Sequence, residues 1–133
     1  MAVSGWIVDK SAAARFGVSE VRSQLEELAG SLYVCPVGEL EQRYSARSAA
    51  EYDRLAEQLR AAFPRAEAPS DILDRALALQ QDLAHHQGMW HRTAIPDLLI
   101  AETALHNRLG VVHVDRDFER IAEVRPLTTR RIR

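Results

Sequence analysis

Two short apolar runs in this chain each end on an aspartate. Trp6-Ile7-Val8 leads into Asp9, and Val111-Val112-His113-Val114 leads into Asp115. Runs this short and this apolar read as strands buried on both faces, which belong to parallel sheets covered by helices. Leu32-Tyr33-Val34-Cys35 is a further candidate strand, and the arginine-rich tail from Arg125 to Arg133 has room for a last edge strand.

Helical patterns fill the intervals. Ser11 is placed to cap a first helix, and Val18, Val21, Leu25 and Leu28 recur at helical spacing before Gly30. Pro36 leads a helix carrying Glu39, Leu40, Arg43 and Tyr44. Tyr52, Leu55, Ala56, Leu59 and Phe63 form an amphipathic stripe stopped by Pro64. Ile72, Ala76, Leu79 and Leu83 form another that ends near Gly88. Pro96 opens a helix from Asp97 to about Arg108, with Gly110 just past its end, and a last helix runs from Asp117 to Val124. Strands alternating with helices imply right-handed crossovers. The expected fold is α/β, a short parallel central sheet flanked by helices on both faces. With 133 residues there is room for one domain, taken as 1–133.

Composition narrows the function. No apolar run is long enough to span a membrane, and the first residues lack the pattern of a signal peptide, so a cytoplasmic protein is expected. A lone cysteine, Cys35, gives no support for a cysteine-built metal site. The formal charge is −2, and sixteen arginines accompany one lysine. That balance opposes a general grip on nucleic acid but allows local basic tracks around an acidic centre.

The acids are placed for chemistry. Asp9 and Asp115 follow strands, and in open α/β sheets ligands bind beyond that edge. Asp97 and Glu39 lie in the first turns of helices, which start at the same edge. Four carboxylates could therefore converge. Close pairs repel by ~4 kcal/mol at an effective dielectric of ~20, and a hard divalent cation is the economical remedy. Oxygen-only ligation suits Mg²⁺ or Mn²⁺, which can orient and polarise a phosphodiester. Glu41 competes with Glu39, but Leu40 and Tyr44 suggest that the buried side lies nearer 40 and 44 than 41. Glu102, five positions after Asp97, is expected in solvent. Asp117 either joins Asp115 or caps the last helix. Ser11, Arg92 and Arg116 are candidates for contacting substrate, and His85, His86 and His91 fit no strong metal template.

At these residues the sequence resembles the PIN-domain family of VapC type. Val8-Asp9-Lys10-Ser11-Ala12 is similar to its opening motif and Tyr33-Val34-Cys35-Pro36-Val37-Gly38-Glu39-Leu40-Glu41 to its second. Ile95-Pro96-Asp97-Leu98-Leu99-Ile100-Ala101 and Val114-Asp115-Arg116-Asp117-Phe118 are similar to the third and fourth. Lys10 stands where a threonine is commoner, and His113 where threonine or serine often precedes the last aspartate. The resemblance implies a metal-dependent endoribonuclease, the toxin of a type II toxin–antitoxin system. It implies RNA as substrate, a VapB-like antitoxin as partner, and a homodimer. The formal charge of −2, which gives little sequence-independent affinity, leads to structured RNA (tRNA or rRNA) as the expected target. It carries the catalytic acids onto Asp9, Glu39, Asp97 and Asp115, with Asp117 accessory, and the metal onto Asp9, Asp97 and Asp115.

Other readings stay open at this point: a catalytically silent PIN module binding RNA or protein, or a nuclease acting on DNA. A receiver domain would need a late lysine, and there is none after Lys10. A haloacid-dehalogenase phosphatase would need Asp-x-Asp where Asp9-Lys10-Ser11 stands.

Overall fold

A computed structural model describes residues 3–13, 19–28, 31–114 and 116–132. Strands β1 (Trp6–Val8), β2 (Leu32–Tyr33), β3 (Gly110–His113) and β4 (Thr129–Arg131) form one parallel sheet in the order β2-β1-β3-β4. Between them lie α1 (Lys10–Ala13), α2 (Ser19–Glu27), α3 (Pro36–Tyr44), α4 (Ala49–Ala62), α5 (Ile72–His85), α6 (Ile95–His106) and α7 (Asp117–Ile121). The expected edge strand in the tail is β4. Val18, Gly30 and Asp115, each singled out in the sequence, lie outside the described residues.

Because successive strand residues point to opposite faces, β1 and β3 each feed two cores. Ile7 and its register partner Val111 face Leu79 and Leu83 of α5, Ile100 and Ala101 of α6, and Phe118 and Ile121 of α7. Val8 and its partner Val112 face Leu25 of α2 and Ile132, with Trp6, Leu28 and Leu32 alongside. The continuous apolar runs are thus explained by burial on both sides, with helices on each.

Local rules set the helix ends. Ser48 Oγ accepts from Glu51 N–H at 3.1 Å, capping α4. Pro96 sits in the first turn of α6, where its missing N–H costs nothing. The other end of α6 departs from expectation. Arg108, at φ 58°, takes the left-handed turn, and Leu109 N–H then donates to Ala104 C=O at 2.8 Å. Gly110 is instead the first residue of β3. A Cβ there would lie 2.6 Å from Trp6 ring carbons and 2.8 Å from Thr128 O. Gly110→Ala is therefore expected to cost about 1–3 kcal/mol by overpacking. Chemical denaturation would check this, and an unchanged midpoint would refute the tight packing of Trp6 over β3.

Helix α6 is buried on nearly every side: Asp97, Leu98, Ile100, Ala101, Glu102, Thr103 and Ala104 are all inaccessible. Only Ile95 and His106 at its two ends are exposed, so the middle of the helix has no fully solvated side, which corrects the expectation for Glu102. That carboxylate is 5% exposed and meets Arg125 Nε at 3.4 Å, while Arg125 Nη1 holds Asp82 of α5 at 2.6 Å. Burial raises the Glu102 pKa, with the Arg125 charge offsetting part of the rise. Ionised Glu102 thus opposes folding once pH exceeds the ordinary glutamate range, and protonated Glu102 does not.

Candidate metal centre

The site forms where β1 ends. Asp9 N–H donates to Val112 O at 2.9 Å, extending the β1–β3 ladder past the last strand residue and fixing Asp9 at the sheet edge. Its side chain is held by Ser11, whose backbone N–H and Oγ–H donate to Asp9 Oδ2 at 3.0 and 2.6 Å. Ser11 Oγ in turn accepts from Val114 N–H at 3.0 Å, so one hydroxyl ties the ends of β1 and β3 together. These bonds make Ser11 an orienting partner of Asp9.

Asp97 reaches the same place from the first turn of α6, where its N–H bonds to Ala94 O at 3.0 Å and its side chain is 7% exposed. The third carboxylate is Glu41. Asp9, Glu41 and Asp97 each present an oxygen, and these oxygens all lie within 4.8 Å of one another. Glu39, the residue carried over from the resemblance, points elsewhere. Its Oε2 accepts from Arg43 Nη2 at 2.7 Å and its Oε1 lies 3.2 Å from Arg65 Nε. Two residues apart on a helix is about 200° of rotation, so only one of the two glutamates can face the acids. The sequence pointed to the wrong side because Leu40 and Tyr44 were read as buried; they are 66% and 87% exposed. What decides is packing: α3 meets α1, α4 and α6, and Glu41 falls on the side of Asp97 at the start of α6, whereas Glu39 falls on the side of Arg60 of α4.

The donor set tests the metal reading. All three candidate donors are carboxylates, all are buried or half-buried, and hard oxygen donors fit a small divalent cation. The neighbouring thiol contributes no softer ligand. Burial pushes Cys35 up to about 11, with the Asp9 and Glu41 charges adding to the rise against N–H bonds from Gly38 and Val37. It stays a neutral thiol packed under the site.

The remaining candidates fall as follows. Asp115 lies outside the described residues. Asp117 opens α7 and is half-buried. Arg116, directly before it, and Arg92, in the turn leading to α6, are both exposed. His113 is fully buried at the end of β3, its ring 5.4 Å from that of Phe118, which makes it a packing residue. His86 lies 3.3 Å from Glu123 and stacks obliquely near Trp90.

The family model for the PIN domain matches residues 7–124. The chain belongs to the PIN-domain family. It is 56% identical to ribonuclease VapC17 of Mycobacterium tuberculosis over 121 residues, 91% of this chain and 90% of that protein. Ribonuclease VapC21 of the same species is 38% identical over 121 residues, 90% of this chain and 87% of that one. Among solved structures, this PIN domain resembles VapBC2 from Rickettsia felis bound to a promoter DNA fragment. The TM-score is 0.74 at 15% identity, covering 96% of this chain and 98% of that one. VapBC-5 from Mycobacterium tuberculosis gives 0.67 at 18% identity over 96% and 98%. These distant likenesses establish the PIN-like fold, as the parallel sheet and its two helical layers already indicated.

Proposed function

We propose that this chain is a metal-dependent endoribonuclease toxin acting in the cytoplasm on structured RNA, tRNA or rRNA, and silenced by a VapB-like antitoxin. The observation that carries the proposal is the meeting of Asp9, Glu41 and Asp97 at the strand edge. The 56% identity to a VapC ribonuclease over nine-tenths of both chains supports the same reading. Several likenesses among solved structures are toxin–antitoxin complexes, which supports an antitoxin partner; the homodimer is part of the proposal on the family resemblance alone. Among the described residues no helix is long and apolar enough to cross a membrane.

Asp9, Glu41 and Asp97 would hold Mg²⁺ or Mn²⁺, with Asp115 as a further ligand and Asp117 behind it. Asp115 follows Val114 in the chain, and Val114 N–H is fixed by the same Ser11 hydroxyl that fixes Asp9. A bound cation supplies Lewis-acid polarisation of the scissile phosphodiester and offsets the charge developing on it. The protein's part is to keep its carboxylates pre-oriented, so that little reorganisation is needed at reaction. Ser11 does this for Asp9, and the buried α6 does it for Asp97. Arg92 and Arg116 are exposed cations available to RNA phosphates.

Purified protein incubated with total RNA and with DNA, in Mg²⁺ and in EDTA, tests the reading. RNA cleavage in Mg²⁺ alone, lost in Asp9→Asn, is the expected outcome. Cleavage of DNA only would make it a DNA nuclease, and binding without cleavage a silent module.

A further inference from the structure

The side of α3 turned away from the acids holds a second charged feature. A cavity of about 330 Å³ is lined by Val34, Glu39, Arg43, Arg60, Phe63 and Arg65. Three guanidiniums face one carboxylate there. Each guanidinium offers five donors, and Glu39 engages Arg43 at 2.7 Å and Arg65 at 3.2 Å. Arg60 is exposed and has no acidic partner among the described residues. Arg65 Nε also lies 3.8 Å from Glu67, so two carboxylates stand against three guanidiniums and leave the cavity with a net positive charge.

Its position relative to the acids follows from the sheet. Ile7 pairs with Tyr33, so Val8 lies level with Val34, and Val34 pairs with Arg65 in an isolated parallel bridge. Val34 N–H donates to Pro64 O at 3.0 Å and Ala66 N–H to Val34 O at 2.7 Å, pinning the Arg65 segment beside the extended β2. Arg65 thus stands two strand spacings, about 10 Å, from the end of β1 where Asp9 sits. Between the two lies the outer ridge of α3, with Leu40 66% and Tyr44 87% exposed.

Resting on the ribonuclease reading above, we propose that the Arg43–Arg60–Arg65 cavity binds a backbone phosphate of the RNA strand whose scissile phosphate lies at the acid cluster. Planar guanidiniums suit phosphate oxygens. Tyr44, next to Arg43 at the end of α3 and 87% exposed, offers a ring on which an unstacked base can lie. A chain of net charge −2 draws its RNA affinity from such local concentrations of positive charge.

The test measures binding of a fluorescein-labelled RNA stem-loop and of a mixed-sequence single strand by anisotropy. It is run in EDTA over a range of salt, with cleavage in Mg²⁺ recorded separately. Arg60→Gln and Arg65→Gln should each weaken binding about 5- to 10-fold and lower the log–log salt slope by about one. Arg65→Lys should keep the slope. Arg54→Gln, on α4 but lining neither the cavity nor the acid site, sets the effect of losing any surface charge. If the cavity variants bind RNA as the wild type does, or lose no more than Arg54→Gln, the proposal is overturned. Loss of affinity for the antitoxin with RNA binding intact would overturn it in favour of a protein ligand. If the wild type cleaves no RNA yet its binding depends on Arg60 and Arg65, the phosphate site stands and the ribonuclease reading falls.

Discussion

Glu41→Gln is expected to lower RNA cleavage about a hundredfold or more and to weaken Mn²⁺ binding, whereas Glu39→Gln should leave Mn²⁺ affinity at the wild-type level. Removing one charged ligand forfeits several kcal/mol of charge stabilisation, and each 1.36 kcal/mol is about tenfold in rate. The carboxylate of Glu41 shares a 4.8 Å sphere with Asp9 and Asp97, and that of Glu39 is spent on Arg43 and Arg65. Glutamine keeps the shape of either side chain, so packing is not in question. Titration of each variant with Mn²⁺, followed by paramagnetic resonance or calorimetry, separates the two glutamates without relying on activity. Weakened Mn²⁺ binding in Glu39→Gln, with Glu41→Gln unaffected, would reverse the assignment.

In EDTA at neutral pH, Asp97→Asn should melt above the wild type. Three carboxylates lie together there, two of them buried and one half-buried, and each close pair repels by ~4 kcal/mol at an effective dielectric of ~20. The folded state carries that repulsion and the unfolded chain does not. Relief of even about 1 kcal/mol moves the melting temperature by about 2–8 °C in a domain of this size. Mg²⁺ should then stabilise the wild type more than the variant, because binding to the native state alone stabilises it in proportion to affinity. As pH falls towards about 4, where free carboxylates titrate, the advantage of the variant should shrink. A lower melting point for Asp97→Asn in EDTA, with an equal Mg²⁺ shift in both proteins, would make Asp97 a structural residue of α6.

Features legible in the sequence were those that depend on local order along the chain. An apolar run followed by an acid is a strand end whatever surrounds it, which located Asp9. A proline two positions into a helical pattern fixed the start of α6 and with it Asp97. The β/α alternation gave the parallel sheet, and the four motifs gave the family. Tertiary packing decided the rest. Glu39 and Glu41 are equally good local candidates, and only the packing of α3 against its neighbours chooses between them. Leu40 and Tyr44 misled because apolar residues on a small domain need not be inside. Glu102 was misplaced because helical phase relative to Asp97 says nothing about solvent when neighbours cover the middle of the helix on both the Asp97 and the Glu102 sides. The arginine cavity draws on α3, α4 and the segment paired with Val34. Its charges converge only after the chain has closed on itself, because like charges far apart in sequence meet through packing and carry no local signal of the meeting.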